Sequence, residues 1–215
     1  MARRALPTTA AAFTAAAALL LTGCGGGDKS SSDDIKGADT GSSSPSASAS
    51  DAGRPDVSVP KDLNLVFDFD QPSDPKQAAA LADAENYLRA KFHGIAAKDP
   101  DDPAYQFYSD GQAKQYVKSQ IQTWAKGDWT PTGTDKYYNA ETTTLSGGKR
   151  VLVTFCENQA KAYSKETKTG KVLRGKESLD SYLKQRLLMS PASGSSQVWK
   201  VQVTEVVGKA KECRV

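Results

Sequence analysis

The sequence predicts an α+β domain over residues 61–215, with N-terminal helices packed on a meandering antiparallel sheet. Three observations predict it. Apolar residues recur at helical spacing between positions 75 and 126, Tyr- and Thr-rich or alternating stretches follow Pro131, and Gly-containing turns punctuate those stretches at Gly147-Gly148 and Thr169-Gly170. Of the chain's 215 residues, this segment is long enough for one sizeable core.

Residues 66–70 (VFDFD) are short and alternating, an edge strand or an extended lead-in. The first helix starts at Ser73-Asp74-Pro75-Lys76-Gln77. Asp74 is the N-cap, Pro75 takes the first helical position, where a missing N–H is harmless, and Gln77 completes a capping box. Leu81, Ala84, Leu88, Phe92 and Ile95 share one face until Asp99-Pro100 stops the run. A second helix covers 110–126, with Ala113, Val117, Ile121 and Trp124 as its buried stripe; Tyr105 and Phe107 form a short turn before it. Beyond Pro131, residues 136–145 read as a strand, and 150–157 return with Val151, Val153 and Phe155 on one face. Residues 161–165 continue the sheet after a break. The segment 179–189 fits both periods. Leu179, Tyr182, Leu183, Arg186 and Leu187 suit a helix, whereas Leu183, Leu187 and Met189 suit a strand face; its place between two strands selects strand. Trp199, Val201 and Val203 share one face of a last strand reaching about Val207.

Ahead of the domain the composition changes. Residues 25–60 are Gly, Ser, Ala, Asp and Pro, with Ile35, Val57 and Val59 as the only large aliphatics. Such a stretch buries too little apolar surface to offset the entropy of ordering it and reads as a flexible tether, with a root-mean-square reach of roughly 30–35 Å. Residues 1–23 read as an export leader: Arg3 and Arg4 are a positive start, and 10–21 an apolar run of about a dozen residues. That run falls short of the roughly 20 apolar residues a spanning helix needs.

Leu21-Thr22-Gly23-Cys24 resembles the lipobox of bacterial lipoproteins. The resemblance implies that Cys24 is joined through sulfur to diacylglycerol and becomes the first residue after cleavage. With further acylation by chains such as palmitate, it would hold the protein on the outer face of the cytoplasmic membrane. Two acyl chains anchor stably where one is marginal. In that compartment disulfides persist, and Cys156 and Cys213 are then the only thiols left, so one intramolecular bridge is possible.

Charge excludes little but is informative. The formal net charge of +3, less the two arginines of the leader, leaves +1, which is no electrostatic footprint for nucleic acid. The basic stretch Lys161, Lys165, Lys168, Lys171, Arg174 and Lys176, relieved by Glu166 and Glu177, reads as a charge-rich hairpin. Ser146–Arg150 (SGGKR) lacks a phosphate-loop frame and reads as a turn. His93 is the only histidine, so neither a metal site nor a Ser-His-Asp hydrolase is assembled around it; packing or a rim position suits it.

Helices first and a sheet after them, with TPTGTDKYYN leading into the sheet, VLVTFCENQAKAYSKETKTGK at its centre and VWKVQVTEV near its end, resembles the NTF2-like (SnoaL-like) cone fold. More narrowly it is similar to secreted lipoproteins of high-GC Gram-positive bacteria that carry that fold. The resemblance implies a strongly curved sheet and, in many members, a pocket inside the cone. Some members are isomerases, dehydratases or cyclases, and many are not enzymes. This chain departs from them in having Glu157-Asn158 where a short residue and an aspartate are expected. If a pocket exists, Tyr137, Tyr138, Tyr163 and Glu157 are the polar groups that project near it, and a tyrosine beside a carboxyl group can move a proton next to a carbonyl. Tyrosine is common in strands without any such role, and that plainer reading is preferred.

The function expected is therefore a lipid-anchored, extracytoplasmic, non-catalytic domain that binds a small-molecule ligand or a partner protein, with no cofactor, metal or nucleic acid. The alternative is an isomerase- or dehydratase-like enzyme with a Tyr/carboxylate pocket. Replacing Cys24 by Ala is expected to abolish acylation of the mature chain. Intact-mass measurement of the membrane fraction checks this, and a wild-type level of acylated product would refute the anchor.

Overall fold

The computed structural model describes residues 53–145, 147–194 and 197–214. The leader, Cys24 and residues 24–52 of the tether lie outside the described residues. Those described fall in one compact unit, Ser46–Val215.

The elements are β1 (Leu63–Asp68), α1 (Pro75–Ala97), α2 (Pro103–Tyr108), α3 (Gly111–Lys126), β2 (Trp129–Thr144), β3 (Val151–Glu166), β4 (Val172–Leu173), β5 (Tyr182–Pro191) and β6 (Trp199–Gly208). Short 3-10 turns at Leu179–Ser181 and Lys211–Cys213 precede β5 and follow β6. The sheet is curved and unclosed, in the order β1-β2-β3-β5-β6, with β4 added to the end of β3. The fold class expected from sequence is the one observed. One pairing departs from an all-antiparallel meander: β1 runs parallel to β2, because three helices intervene and carry the chain back to the same end.

Helix α1 begins as its sequence dictates. The Asp74 carboxylate accepts the N–H groups of Lys76 and Gln77 at 2.9 and 3.0 Å, with Pro75 at the first helical position. Gln77 does not close a capping box. Its side chain instead accepts from Thr142 Oγ1 and donates to Thr144 Oγ1, because the end of β2 presents two hydroxyls within reach. Leu81, Ala84, Leu88, Phe92 and Ile95 all face the core, as do Ala113, Val117 and Ile121 of α3. Tyr105 lies in a true short helix, α2, which Asp102 caps, rather than in a simple turn.

The strands depart from expectation in length. Each of β2 and β3 runs 16 residues, and β3 continues through 158–160 without a break. Pro131 and Gly133 are strand residues of β2, although by composition they read as punctuation. Gly133 has φ +93°, and a Cβ there would stand 2.2 Å from the Lys161 carbonyl oxygen, so only glycine lets β2 bend against β3. Register shifts at Thr134/Lys136 and Tyr138/Glu141 add to that bend. A third, at Leu188/Met189, opposes two consecutive β5 residues to Val203 and Val201 of β6. That shift overturns the expected face of the last strand: Trp199 and Val201 are buried, but Val203 is 42% exposed and Thr204 turns inward to meet Tyr87 Oη at 2.8 Å.

Two apolar clusters result. The larger lies between the helices and the concave face and includes Leu88, Val117, Tyr137, Phe155, Met189 and Val201. The smaller comprises Tyr138, Cys156, Tyr182, Ala210 and Cys213. Here the Cys156–Cys213 disulfide, with Cα atoms 5.4 Å apart, fastens the C-terminal 3-10 turn to the middle of β3, and Tyr138 donates to the Cys213 carbonyl. The last residues of the compositional tether pack too: Val57 and Val59 rest on the larger cluster, and Arg54 ion-pairs with buried Asp83. These two valines are the apolar content that lets so polar a segment lie down.

Closing a loop of 57 residues by a disulfide stabilises by about 4 kcal/mol in the chain-entropy model. Cys156→Ser is expected to lose up to about that much, read by urea denaturation, with the Cys213 thiol becoming reactive.

Candidate functional site

Between α1, α3 and the concave side of the sheet lies a cavity of about 280 Å³. Helical spacing sets two of its walls. Lys91, Phe92 and Ile95 come from successive turns of α1, and Tyr116, Gln120 and Trp124 recur every fourth residue along α3. The sheet supplies Asp135 from β2, Glu157, Gln159 and Tyr163 from β3, and Leu183 and Gln185 from β5.

Its polar centre is a pair of buried carboxyl groups. Asp135 is 1% exposed and Glu157 wholly buried. Glu157 sits opposite Tyr137 in the β2–β3 register, and Asp135 precedes Tyr137 by two, so strand alternation places all three on the concave side. Tyr137 donates its hydroxyl to Asp135 Oδ2 at 2.9 Å. Glu157 is held from both sides, accepting from Gln159 Nε2 at 2.6 Å and from Gln185 Nε2. No donor among the described residues reaches Asp135 Oδ1.

Burial pushes the Asp135 carboxyl well above the usual carboxylate range, and the charge of Glu157 and a hydrogen bond between the two carboxyls push the same way. Lys91 and the Tyr137 hydroxyl oppose this without cancelling it. Tyr137 is likewise raised well above the ordinary phenol, first by burial and then by Asp135 and Glu157, so it remains a neutral donor. Asp135 is thus pushed towards its protonated form.

Of the residues expected at a pocket, Glu157 and Tyr163 line the cavity. Tyr137 stands behind Asp135, fully buried and outside the lining. Tyr138 is a correction. It faces the opposite side of the sheet in the disulfide cluster, because neighbouring strand residues point to opposite faces. That same alternation, run back from Tyr137, picks out Asp135, which sequence reasoning missed; Lys91 gave no signal beyond lying next to Phe92. His93 turns away from the cavity. Its Nδ1 lies 2.7 Å from the Ser58 carbonyl and its Nε2 3.5 Å from Asp102, a packing role at the rim of α1. In the basic stretch Lys165 pairs with Asp62, Lys168 with Asp128 at 3.6 Å, and Arg174 stacks on the Tyr163 ring, as a charge-rich hairpin should. Among the described residues no three His, Cys, Asp or Glu side chains gather into a metal-holding group.

No protein-family model and no curated protein matches the chain. Among solved structures it is similar to a ketosteroid isomerase-like protein from Erwinia carotovora atroseptica, at 13% identity over 62% of this chain and 95% of that one, with a TM-score of 0.40. It is similar to Aln2 from a Streptomyces species at 9% identity, over 65% and 94%, with a TM-score of 0.41. The intermembrane space region of the chloroplast protein ARC6 aligns at 13% identity over 64% and 99%, with a TM-score of 0.40. At these values none of them bears on the chemistry of the cavity.

Because burial raises Asp135, folding favours its protonated form. The stability it supports is complete below the ordinary value of 3.8 and declines as pH climbs towards the raised one. Asp135→Asn, which cannot ionise, is therefore expected to melt above wild type at neutral pH, with the gap closing as pH falls to about 4. Melting curves across that range check the sign.

Proposed function

We propose that the protein is a lipoprotein anchored on the outer face of the cytoplasmic membrane, whose domain binds a small molecule in the cavity between α1, α3 and the sheet. The observation that carries this reading is a buried polar lining left incomplete. Asp135 Oδ1 is a buried acceptor that no donor among the described residues reaches, and Lys91, 8% exposed, lines the same cavity without a hydrogen bond or ion pair among them. Buried polar groups are rarely left so, and a ligand would supply the missing contact. The anchor rests on the leader and on Cys24; the bridge between Cys156 and Cys213 suits an oxidising compartment.

A second reading, a proton-transfer enzyme of isomerase or dehydratase type, is favoured by the Tyr137–Asp135–Glu157 chain. Binding suits the geometry better. The Tyr137 hydroxyl is engaged by Asp135, and both Glu157 oxygens accept amides.

Solvent extraction of the purified full-length protein, followed by mass spectrometry, is expected to release a small molecule from wild type. Gln120→Trp, which fills the cavity from α3, should release none while melting normally. Equal recovery from both, or none from wild type, would count against the ligand site. The same wild-type sample incubated in deuterium oxide with a small ketone decides for the enzyme if α-hydrogens exchange and Asp135→Asn stops them.

A further inference from the structure

We infer that the cavity selects a small organic anion, with its carboxylate or equivalent oxyanion paired to Lys91 and its apolar remainder lying against Phe92, Ile95 and Trp124. This rests on the ligand-site reading and narrows it to a class.

The argument begins with Lys91. Its stem is buried on the inner side of α1, and its Nζ lies 4.4 Å from the centre of the Phe92 ring. A cation over a ring face is partly compensated, but an ammonium carries three donors and a ring satisfies none of them as an oxygen would. The two carboxyl groups lining the same cavity take their donors from the protein except at Asp135 Oδ1, which no donor among the described residues reaches. Glu157 receives an amide on each oxygen, and Asp135 accepts from Tyr137 on Oδ2. No carboxylate among the described residues lies within ion-pair distance of the Lys91 ammonium, which reaches Asp135 only through its charge. The group that completes this arrangement is an acceptor bearing negative charge.

The rest of the lining suits the remainder of such a molecule. Phe92, Ile95, Trp124 and Val206 present apolar surface, and Gln120 and the Tyr116 side chain add neutral polar groups on the α3 side. A cationic ligand would instead place its charge in the same enclosed space as Lys91. A neutral one would leave the ammonium with weaker acceptors.

Titration calorimetry on the full-length protein in phosphatidylcholine nanodiscs tests this with three probes of one shape: hexanoate, hexanamide and hexylammonium. A charge-assisted contact predicts hexanoate tighter than hexanamide by about 10- to 100-fold, with hexylammonium weakest. Lys91→Met should erase the preference and Lys91→Arg keep it. If Lys91→Met fails to fold, the wild-type ranking and the Lys91→Arg result still decide. Hexanamide or hexylammonium binding as tightly as hexanoate would overturn the anion inference and leave the ligand site standing. No binding by any probe, with tryptophan fluorescence unmoved, would overturn both.

Discussion

The bend in β2 at Gly133 is the constraint on which the rest depends. There the backbone presses so close to the Lys161 carbonyl that no side chain fits, and the strand leaves its neighbour's straight course. The register shifts that follow carry the bend onward. Because β2 and β3 curve together, the concave side can receive α1 and α3 over much of their length. The other side can receive the C-terminal turn and its disulfide. A flat hairpin of this length would have offered both faces to solvent. The cavity exists because the curved sheet and the straight helices do not meet everywhere.

The same bend decides which polar groups are trapped. Asp135 sits at the first register shift, two residues beyond Gly133, and is turned inward beside Glu157. Burial and the neighbouring carboxyl push Asp135 towards its protonated form, and two glutamine amides hydrogen-bond Glu157. Lys91, on α1, acts on Asp135 through its charge alone, without a hydrogen bond between them. The site therefore keeps two open groups, Asp135 Oδ1 without a donor and the Lys91 ammonium without an oxygen partner among the described residues.

Much of the fold is legible in the sequence because it rests on local chemistry. Asp74-Pro75 starts α1, the stripe from Leu81 to Ile95 buries one face, and Val151, Val153 and Phe155 alternate as strand residues do. What escapes depends on contacts distant in sequence. Pro131 and Gly133 look like breakers until Lys161 is seen to need the space. Val203 looks buried until the shift at Leu188/Met189 reverses the face of β6. The candidate site is half legible. Glu157 and Tyr163 follow from the resemblance to a cone fold with an inner pocket, but Tyr138 cannot share a side with Tyr137. Asp135 and Lys91 escape because charged residues default to the surface, and only the tertiary structure shows them enclosed.

The N-terminal segment shows how the domain meets a pull. Arg54 grips Asp83 in the middle of α1 and, at 3.1 Å, the carbonyl of Gln197 just before β6, while Asp83 also holds the Trp199 N–H at 2.7 Å. Load arriving along the chain from the amino-terminal side is therefore shared between a helix and a strand far apart in sequence before it reaches β1. The parallel edge strand therefore stands behind a guanidinium clasp.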